Sequence, residues 1–331
     1  MCRFDPNLIT GYNSFRKIDA MSIKMRPKIV VVGSSNTDMN IKAPRIPKPG
    51  ETVLGSDFFM AAGGKGANQA VAAARAGGDV HFIARIGEDS FGEQALEGFR
   101  FEGIDTQHVL KTPGRPSGVA LIIVDESGEN SIAVASGANA LLSPQDIEDA
   151  GPVIASSAVL LTQFETPMET VHRAAEIAAK HGRKVIINPA PAQPILNGDF
   201  LKHVSILTPN ETETEILTGL SIRTDEDLAA AADILLTIGL EAVLITLGGR
   251  GVFVAASNVK EFVPSFSVKA VDTTAAGDVF NGALAVALAE GRPLLEAARF
   301  ANAAAALSVT KMGAQPSAPF RAEIDALLRL T

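Results

Sequence analysis

Residues 271–282 have the sequence Val-Asp-Thr-Thr-Ala-Ala-Gly-Asp-Val-Phe-Asn-Gly, and an apolar run continues from there to Leu288. This pattern predicts a helix that begins at Gly277 after a turn of small residues. The first amide groups of a helix have no acceptors within the helix, and they lie at the positive end of its dipole. Small side chains let an anion approach these amides closely. The segment therefore predicts an anion site at the start of a helix.

Outward from this segment, short apolar runs alternate with amphipathic stretches along the chain. The predicted strands are Lys28–Val32, Val80–Ala84, Val159–Phe164, Lys184–Asn188, Val204–Thr208 and Ala242–Leu247. The predicted helices are Asn68–Ala76, Phe91–Glu102, Met168–His181, Glu211–Leu217, Asp225–Ile238, Gly277–Ala289 and Leu294–Lys311. Such alternation is typical of an α/β fold with a mostly parallel sheet that is covered by helices on both faces.

Part of the first third of the chain departs from this alternation. Glu51–Met60 and Gly118–Ser136 predict strands joined by tight turns, the second turn lying around Ser127–Asn130. We therefore expect a small separate β-sheet. No Gly/Ser-rich linker or low-complexity tract marks a second independent domain, and residues 1–26 are interpreted as a flexible extension.

Composition excludes several classes of partner. The formal net charge is −8, and no basic stripe is present to neutralise nucleic-acid phosphates or an anionic membrane. No run approaches the ~18 apolar residues that a membrane span requires. The single cysteine, Cys2, excludes an intrachain disulfide, which suits a reducing cytoplasm.

Asp278 is the candidate catalytic residue. A carboxylate beside the predicted anion site can take a proton from a hydroxyl group as that group attacks phosphorus. The amides of Ala275, Ala276 and Gly277, with that of Asp278, would stabilise the developing negative charge. The alternative is an acid that the helix dipole favours at this position, with no catalytic role.

A second candidate segment, residues 61–70, has the sequence Ala-Ala-Gly-Gly-Lys-Gly-Ala-Asn-Gln-Ala. It is not a Walker A loop, because Gly66 follows Lys65 where a Ser or Thr would hold magnesium. The adjacent glycines allow close approach to a polyhydroxy ligand, and Lys65 and Asn68 supply donors for neighbouring hydroxyls. The alternative is a glycine-rich turn that begins a helix.

Polar residues also follow three predicted strands, where open α/β sheets place their ligands. Asn36 and Asp38 follow the first strand, and Asp38 could accept sugar hydroxyls, although Asx residues are also common in turns for local reasons. Thr246–Gly251 would pass close to a nucleotide or form a simple hairpin turn. Asn210 and Glu213 would hold a hydrated magnesium ion or merely cap a helix.

Taken together, Gly63–Asn68 and Asp272–Asp278 resemble the ribokinase-like (PfkB-type) carbohydrate kinases, from about Lys28 to the end of the chain. Further stretches narrow the resemblance to members that phosphorylate ribose: Pro49–Val53, Gly137–Ala140, Asn188–Ala192, Thr208–Glu213 and Gly313–Ser317. The resemblance implies a Rossmann-like three-layer αβα domain over residues 27–331. It also implies a β lid formed by about 38–62 and 117–137, which would make a homodimer contact.

The resemblance also implies roles for single residues. The sugar would be held by Asn36, Asp38, Gly64, Lys65, Asn68 and Glu165, with Asp278 deprotonating it. ATP would be bordered by Asn210, Thr246, Gly248, Gly251, Gly277 and Asn302, with Glu213 linked to magnesium. A monovalent cation, usually potassium, would be held mostly by backbone carbonyls at Asp272, Thr274, Ser308, Lys311, Gly313 and Ser317.

The function expected from this resemblance is transfer of the γ-phosphate of ATP to O5 of D-ribose, with Mg²⁺ and K⁺, giving D-ribose 5-phosphate and ADP. One alternative keeps this chemistry but changes the acceptor to deoxyribose, fructose or adenosine. The other is a sugar-binding regulator without turnover, and the presence of Asp278 counts against it.

Overall fold

The structure of the protein is a computed structural model that describes residues 26–193 and 198–330. The predicted flexible extension, residues 1–26, therefore lies outside the described residues except for Arg26.

The strands of the described residues are, in chain order, β1 (Lys28–Val32), β2 (Asn36–Lys42), β3 (Phe58–Gly63), β4 (Asp79–Gly87), β5 (Asp105–Thr112), β6 (Gly118–Val124), β7 (Asn130–Ala135), β8 (Val159–Thr162), β9 (Lys184–Ile187), β10 (Ile206–Leu207), β11 (Ala242–Thr246), β12 (Val252–Ala256) and β13 (Val259–Val263). The helices are α1 (Lys65–Arg75), α2 (Ser90–Phe101), α3 (Pro144–Asp149), α4 (Gly151–Ser156), α5 (Met168–Lys180), α6 (Gly198–Leu201), α7 (Glu211–Thr218), α8 (Asp225–Leu236), α9 (Ala276–Ala289), α10 (Leu294–Ser308) and α11 (Arg321–Arg329).

Nine strands form the central sheet, in the order β13-β12-β11-β10-β9-β8-β1-β4-β5. The strands from β11 to β5 are parallel to their neighbours, whereas β12 and β13 continue the sheet antiparallel. Helices cover both faces: Ile29 and Val31 of β1 pack in the cluster with α1, α2, α9, α10 and α11, while Val30 and Val32 pack in the cluster with α3, α4, α5 and α8. The predicted three-layer arrangement around a mostly parallel sheet is confirmed.

A separate four-stranded sheet has the order β3-β2-β6-β7. The predicted strand Glu51–Met60 is wrong in its first seven residues, because β3 begins only at Phe58. The residues before it form a local loop in which the guanidinium of Arg45 pairs with the carboxylate of Glu51, and Glu51 also accepts from the amide of Lys48 at 3.1 Å. Just before β3, the backbone of Ser56 and Asp57 is hydrogen-bonded to that of Lys42, the last residue of β2, at 2.9 and 3.0 Å.

In residues 26–193 and 198–330, no helix combines the length and the apolar character that crossing a membrane requires.

Candidate active site

Two closely packed helices carry the centre of the site. Gly282 of α9 faces α1, and a Cβ at this position would lie 2.6 Å from the backbone oxygen of Gln69 and 2.7 Å from the Cβ of Ala72. Only glycine permits this approach, since real Cβ contacts are longer. The close packing brings Asp278 in the first turn of α9 next to Asn68 in the first turn of α1.

The carboxylate of Asp278 is buried and held on both oxygens. Its Oδ2 accepts from Nδ2 of Asn68 at 2.9 Å, and its Oδ1 accepts from Nε2 of Gln69 at 3.0 Å. Burial raises the pKa of Asp278, while Lys65 and these two hydrogen bonds oppose the rise. A carboxylate with a raised pKa, positioned by two amides, is suited to accept a proton.

Lys65, at the start of α1, faces carboxylates from three other segments. Burial alone would lower the pKa of its ammonium group, but Asp278, Glu165 and Glu213 outweigh burial and raise it. The lysine is therefore charged at neutral pH, and it balances part of the negative charge in the site.

The amide groups that begin α9 are held open by an unusual backbone conformation. Ala275 has φ 59° and ψ 14°, and it is the one non-glycine residue with a positive φ within residues 26–193 and 198–330. No side chain caps the helix. The amide of Ala276 donates to the carbonyl of Thr273 at 3.3 Å, whereas no hydrogen bond within the described residues occupies the amides of Gly277 and Asp278. A left-handed alanine costs stability, so the turn leaves these two donors open at an energetic cost. They lie within 275–278, where the sequence predicts an anion site, and binding of an anion there stays a prediction.

Two of the predicted sugar residues, Asn36 and Glu165, line a cavity of about 360 Å³, together with Val134 and Phe164. The other predicted sugar residues do not line this cavity: Asp38, Gly64, Lys65, Asn68 and Asp278. The Oε2 of Glu165 accepts from Oγ of Ser34 at 2.6 Å and from the amide of Lys65 at 3.0 Å. These bonds fix a carboxylate at the wall of the cavity. Asn68 donates to Asp278 through its Nδ2. Its other polar side-chain atom, Oδ1, is buried without a partner among the described residues.

Asp38 and two glycines complete this side of the site. Burial, followed by the charges of Glu165 and Asp278, raises the pKa of Asp38 to about 6. Gly64 has φ +87°, and a Cβ there would approach the amide nitrogen of Asn36 to 2.7 Å. The turn from β3 into α1 therefore needs glycine to remain this close to the loop after β1.

A larger cleft of about 770 Å³ is lined by Ala276 and Gly277 at the start of α9. It brings together all the residues that were predicted to border the nucleotide: Asn210, Thr246, Gly248, Gly251, Gly277 and Asn302. The Nδ2 of Asn302 donates to the carbonyls of Val263 and Pro264 at 2.9 and 3.2 Å, so its amide also holds the end of β13 against α10. A cleft of this size is in the range of ligand-binding cavities.

Asn210 and Glu213 form the capped helix start that was the alternative to a magnesium site. Oδ1 of Asn210 accepts from the amide of Glu213 at 2.7 Å, and Oε2 of Glu213 accepts from the amide of Asn210 at 2.9 Å. Burial raises the pKa of Glu213. The residue still lies within electrostatic reach of Lys65 and Asp278, and the three residues before it in the chain line the cleft.

The predicted monovalent-cation residues are only partly brought together. Asp272 accepts from the amides of Thr274 at 2.9 Å and Gly313 at 2.8 Å, and although burial raises the pKa of its carboxyl, these bonds hold it below its usual value. Lys311 directs its ammonium group to Glu323, at 2.8 Å. The hydroxyls of Ser308 and Ser317 donate to carbonyls in their own turns, those of Ala305 and Ala314. Among the described residues, no cluster of three or more His, Cys, Asp or Glu side chains suits a metal ion.

Several residues of the site were given no role from the sequence, although Asn139 lies in Gly137–Ala140, one of the stretches that carry the resemblance. Asn139 accepts from the amide of Ser35 at 2.9 Å and donates to Oδ1 of Asn36 at 2.8 Å, so the NH₂ group of Asn36 is the part left to face a ligand. Gln69 and Gln163, buried beside Asp278, were not singled out, although Gln69 directly follows Asn68.

Comparison with known proteins agrees with this geometry. The family model for pfkB family carbohydrate kinases matches residues 26–321. The ribokinase of Haemophilus influenzae is 50% identical over 299 residues, which cover 90% of this chain and 97% of that protein. The deoxyribokinase of Salmonella typhimurium is 38% identical over 302 residues, which cover 91% of this chain and 99% of that protein.

A solved structure has the same fold and contains ligands. The structure of Arabidopsis thaliana ribokinase complexed with ribose and ATP has a TM-score of 0.86 at 34% identity, and the match covers 93% of this chain and all of that chain (100%). The match of the family model, the extent of these similarities and the arrangement around Asp278 lead to one conclusion: the chain belongs to the pfkB family of carbohydrate kinases.

Proposed function

We propose that this protein transfers the γ-phosphate of ATP to O5 of D-ribose, giving D-ribose 5-phosphate and ADP. The observation that carries the proposal is the buried carboxylate of Asp278 at the start of α9. Its neighbour Gly277 lines the cleft at Asn302, and Glu165, at the wall of the smaller cavity, lies within electrostatic reach of it. A base in this position can reach a hydroxyl on one side while the phosphate chain occupies the other. Ribokinases are among the relatives that share the greatest identity with the chain.

In the reaction, Asp278 accepts the proton of O5 as O5 attacks the γ-phosphorus. The bond from O5 to phosphorus forms, the bond from phosphorus to the bridging oxygen breaks, and ADP leaves with that electron pair. The amides at 275–278, among them the open amides of Gly277 and Asp278, stabilise the charge that develops on the transferred group. The charged ammonium group of Lys65 favours the ionised form of Asp278 before the proton moves.

The same proposal includes two metal ions. The reciprocal cap uses Oδ1 of Asn210 and Oε2 of Glu213, so the remaining polar atoms of these side chains would contact a magnesium ion through its water molecules. When bound with ATP, magnesium neutralises charge on the phosphates. The carboxylate of Asp272, held ionised at the turn before α9, fits a potassium site built from this oxygen and neighbouring carbonyls. These residues orient the turn that presents Ala275.

We also infer a homodimer through the second sheet, and a cytoplasmic location. Strand register places Met60, Met39 and Leu121 side by side on the face opposite Asp38. Met60 and Leu121 are 52% and 54% exposed in the single chain. An apolar row of this kind is suited to pack against the same row of a second copy.

The deciding experiment measures ADP release from ATP and magnesium with ribose, deoxyribose, fructose or adenosine, each with and without potassium. The expected result is a clear preference in kcat/KM for ribose, with stimulation by potassium. Preference for deoxyribose is the second candidate, favoured by the similarity to a deoxyribokinase, and it would overturn the ribose assignment alone. Absence of turnover with every acceptor would overturn the proposal of a kinase.

A further inference from the structure

We propose that Gln69 is a positioning residue for the candidate base Asp278, and that Gln163 and Asn188 hold Gln69 in the required orientation. This inference rests on the proposed kinase activity. It concerns three residues that are linked to Asp278 by hydrogen bonds and that do not line either the cavity or the cleft.

The amide of Gln69 has every polar atom committed. Its Nε2 donates to Oδ1 of Asp278 at 3.0 Å and to Oδ1 of Asn188 at 3.2 Å, and its Oε1 accepts from Nε2 of Gln163 at 2.5 Å. The side chain is fully buried. A flipped amide would place its oxygen against two acceptors, so the three contacts together fix one orientation, in which a donor always faces Asp278.

The two residues that hold Gln69 are anchored in the sheet. Gln163 directly follows β8, and Asn188 directly follows the neighbouring strand β9. Nδ2 of Asn188 donates to the carbonyl of Thr208, the residue after β10, at 3.1 Å. Neighbouring parallel strands therefore set the position of the Gln69 amide through their carboxyl ends.

The arrangement is costly for stability, which favours a role in the reaction over a purely structural one. Oε1 of Gln163 is buried without a hydrogen-bond partner in the described part of the chain. A buried acceptor left unpaired destabilises a fold by about 1–3 kcal/mol. Gly33 also leaves room for this oxygen, since a Cβ there would lie 2.2 Å from it. An apolar side chain would fill the space of Gln163 without this cost.

The charges that face Asp278 explain why one more donor matters. Lys65 from α1 favours its ionised form, whereas Glu165 after β8, Asp38 on β2 and Glu213 on α7 oppose it. Gln69 is one of two donors that stabilise the buried carboxylate directly. Without it, Asp278 would hold its proton to higher pH, and Oδ1 would lose the contact that sets its direction.

The test compares three variants of the full chain in steady-state kinetics with ribose and ATP between pH 5 and 9. Gln69→Met keeps the length of the side chain but removes the donor. Gln163→Met removes only the group that orients Gln69. Ser157→Ala is the matched control, because it removes a buried hydrogen bond, from Oγ to the carbonyl of Ile154 at 2.8 Å, at the opposite end of β8.

For Gln69→Met we expect kcat to fall about 10- to 100-fold at neutral pH, the size of a lost hydrogen bond to a charged group. The KM for ribose should change little. The acid limb of the kcat profile should move to higher pH, so activity returns in part at pH 9. Gln163→Met should shift the limb less, in the same direction, and adding it to Gln69→Met should cause no further shift. Ser157→Ala should lower thermal stability without moving the limb.

The proposal is overturned if Gln69→Met has the wild-type pH profile, or if it loses activity equally at every pH. An effect confined to the KM for ribose overturns it as well. If Gln69→Met does not fold, Gln163→Met decides: an unmoved acid limb in this folded variant is contrary to the proposal. Failure of the wild type to phosphorylate any sugar is a different result, because it removes the proposed function itself.

Discussion

The carboxylate of Asp38 on β2 lies against the backbone of Gly63 on β3, where a Cβ would come within 2.2 Å of the nearest carboxylate oxygen. Because the strands pair Asn36 with Gly63 and Asp38 with Ala61, the carboxylate leans diagonally across the pair toward the turn that begins α1. The missing side chain at position 63 therefore provides the space in which Asp38 reaches the site. Position 63 needs glycine because the side chain of Asp38 occupies the space of a Cβ. Position 64 needs glycine because its backbone has a positive φ.

The first prediction concerns Gly63→Ala, which should displace Asp38 from the site. If Asp38 accepts hydroxyls of the sugar, the KM for ribose should rise about 10-fold or more, as expected for a lost hydrogen bond to a charged group. The KM for ATP should stay near that of the wild type. Initial-rate kinetics with each substrate varied in turn measure both constants. An unchanged KM for ribose would show that Asp38 does not bind the sugar.

The second prediction concerns stability and pH. Because the pKa of Asp38 is raised from 3.8 to about 6, the folded state binds more protons than the unfolded state between these values. The free energy of unfolding of the wild type therefore falls as pH rises from 3.8 to about 6. Above about pH 6 the buried carboxylate is ionised, and its full destabilising effect is present. Asp38→Asn removes the titrating group. Its melting temperature relative to wild type should be higher at pH 8 than at pH 4.5.

Thermal melts of both proteins at the two pH values test this. The same difference in melting temperature at pH 4.5 and pH 8 would be inconsistent with a raised pKa at Asp38. Asp38→Asn should also bind ribose more weakly. Asp38 would then be a residue that lowers the stability of the fold but strengthens the binding of the sugar.

The third prediction concerns the base. Asp278→Asn keeps the size of the side chain and its place beside Asn68 and Gln69, but it removes the proton acceptor. We expect kcat to fall about 10²–10⁴-fold, as for loss of a general base. Ribose binding, measured by calorimetry without ATP, should persist. Normal turnover by the variant would show that Asp278 is not the base and only stabilises the start of the helix.

The sequence predicted much of the fold because the signals were local. Runs such as Lys28–Val32 and Ala242–Thr246 are buried parallel strands, and the turn of small residues before α9 lies where it was expected. The partners of Gln69 were beyond prediction, because its amide contacts residues 94, 119 and 209 positions away in the chain. These contacts depend on how the buried helix packs against the ends of the strands. A local sequence pattern does not predict that packing.

The false start predicted for β3 has a similar origin. The residues of Glu51–Met60 suit a strand, but Glu51 pairs with Arg45 in a loop, and β3 begins only at Phe58. The sequence of the segment does not reveal that its first seven residues belong to this loop.

The fourth prediction concerns the packing of α9 on α1. Gly282→Ala would place a methyl group against the backbone of Gln69, at 2.6 Å, so the helices must separate or α9 must shift. We expect a loss of about 1–3 kcal/mol in the free energy of unfolding, as for overpacking in a core. Because the shift also moves Asp278 away from Asn68 and Gln69, kcat should fall as well.

Gly98→Ala is the matched control for this change. Gly98 lies on the exposed side of α2, where a Cβ meets nothing within 4 Å. Alanine there should stabilise the protein by about 0.5–1 kcal/mol through its higher helix propensity, with kcat unchanged. Urea denaturation and initial rates for both variants provide the comparison. A Gly282→Ala protein as stable as Gly98→Ala would contradict the close packing of the two helices.

The last prediction concerns the outer face of the second sheet. Leu121 is directly opposite Met39 in the register of β2 and β6, and this part of the apolar row is exposed in the single chain. If the row packs on a second copy, Leu121→Glu would bring a buried charge into the interface and should convert a dimer into a monomer. Phe101→Glu changes an equally apolar residue, 78% exposed at the end of α2, and should leave the dimer intact. Sedimentation velocity distinguishes the two. A wild-type monomer, or a dimer that tolerates Leu121→Glu, would show that this face is not the contact.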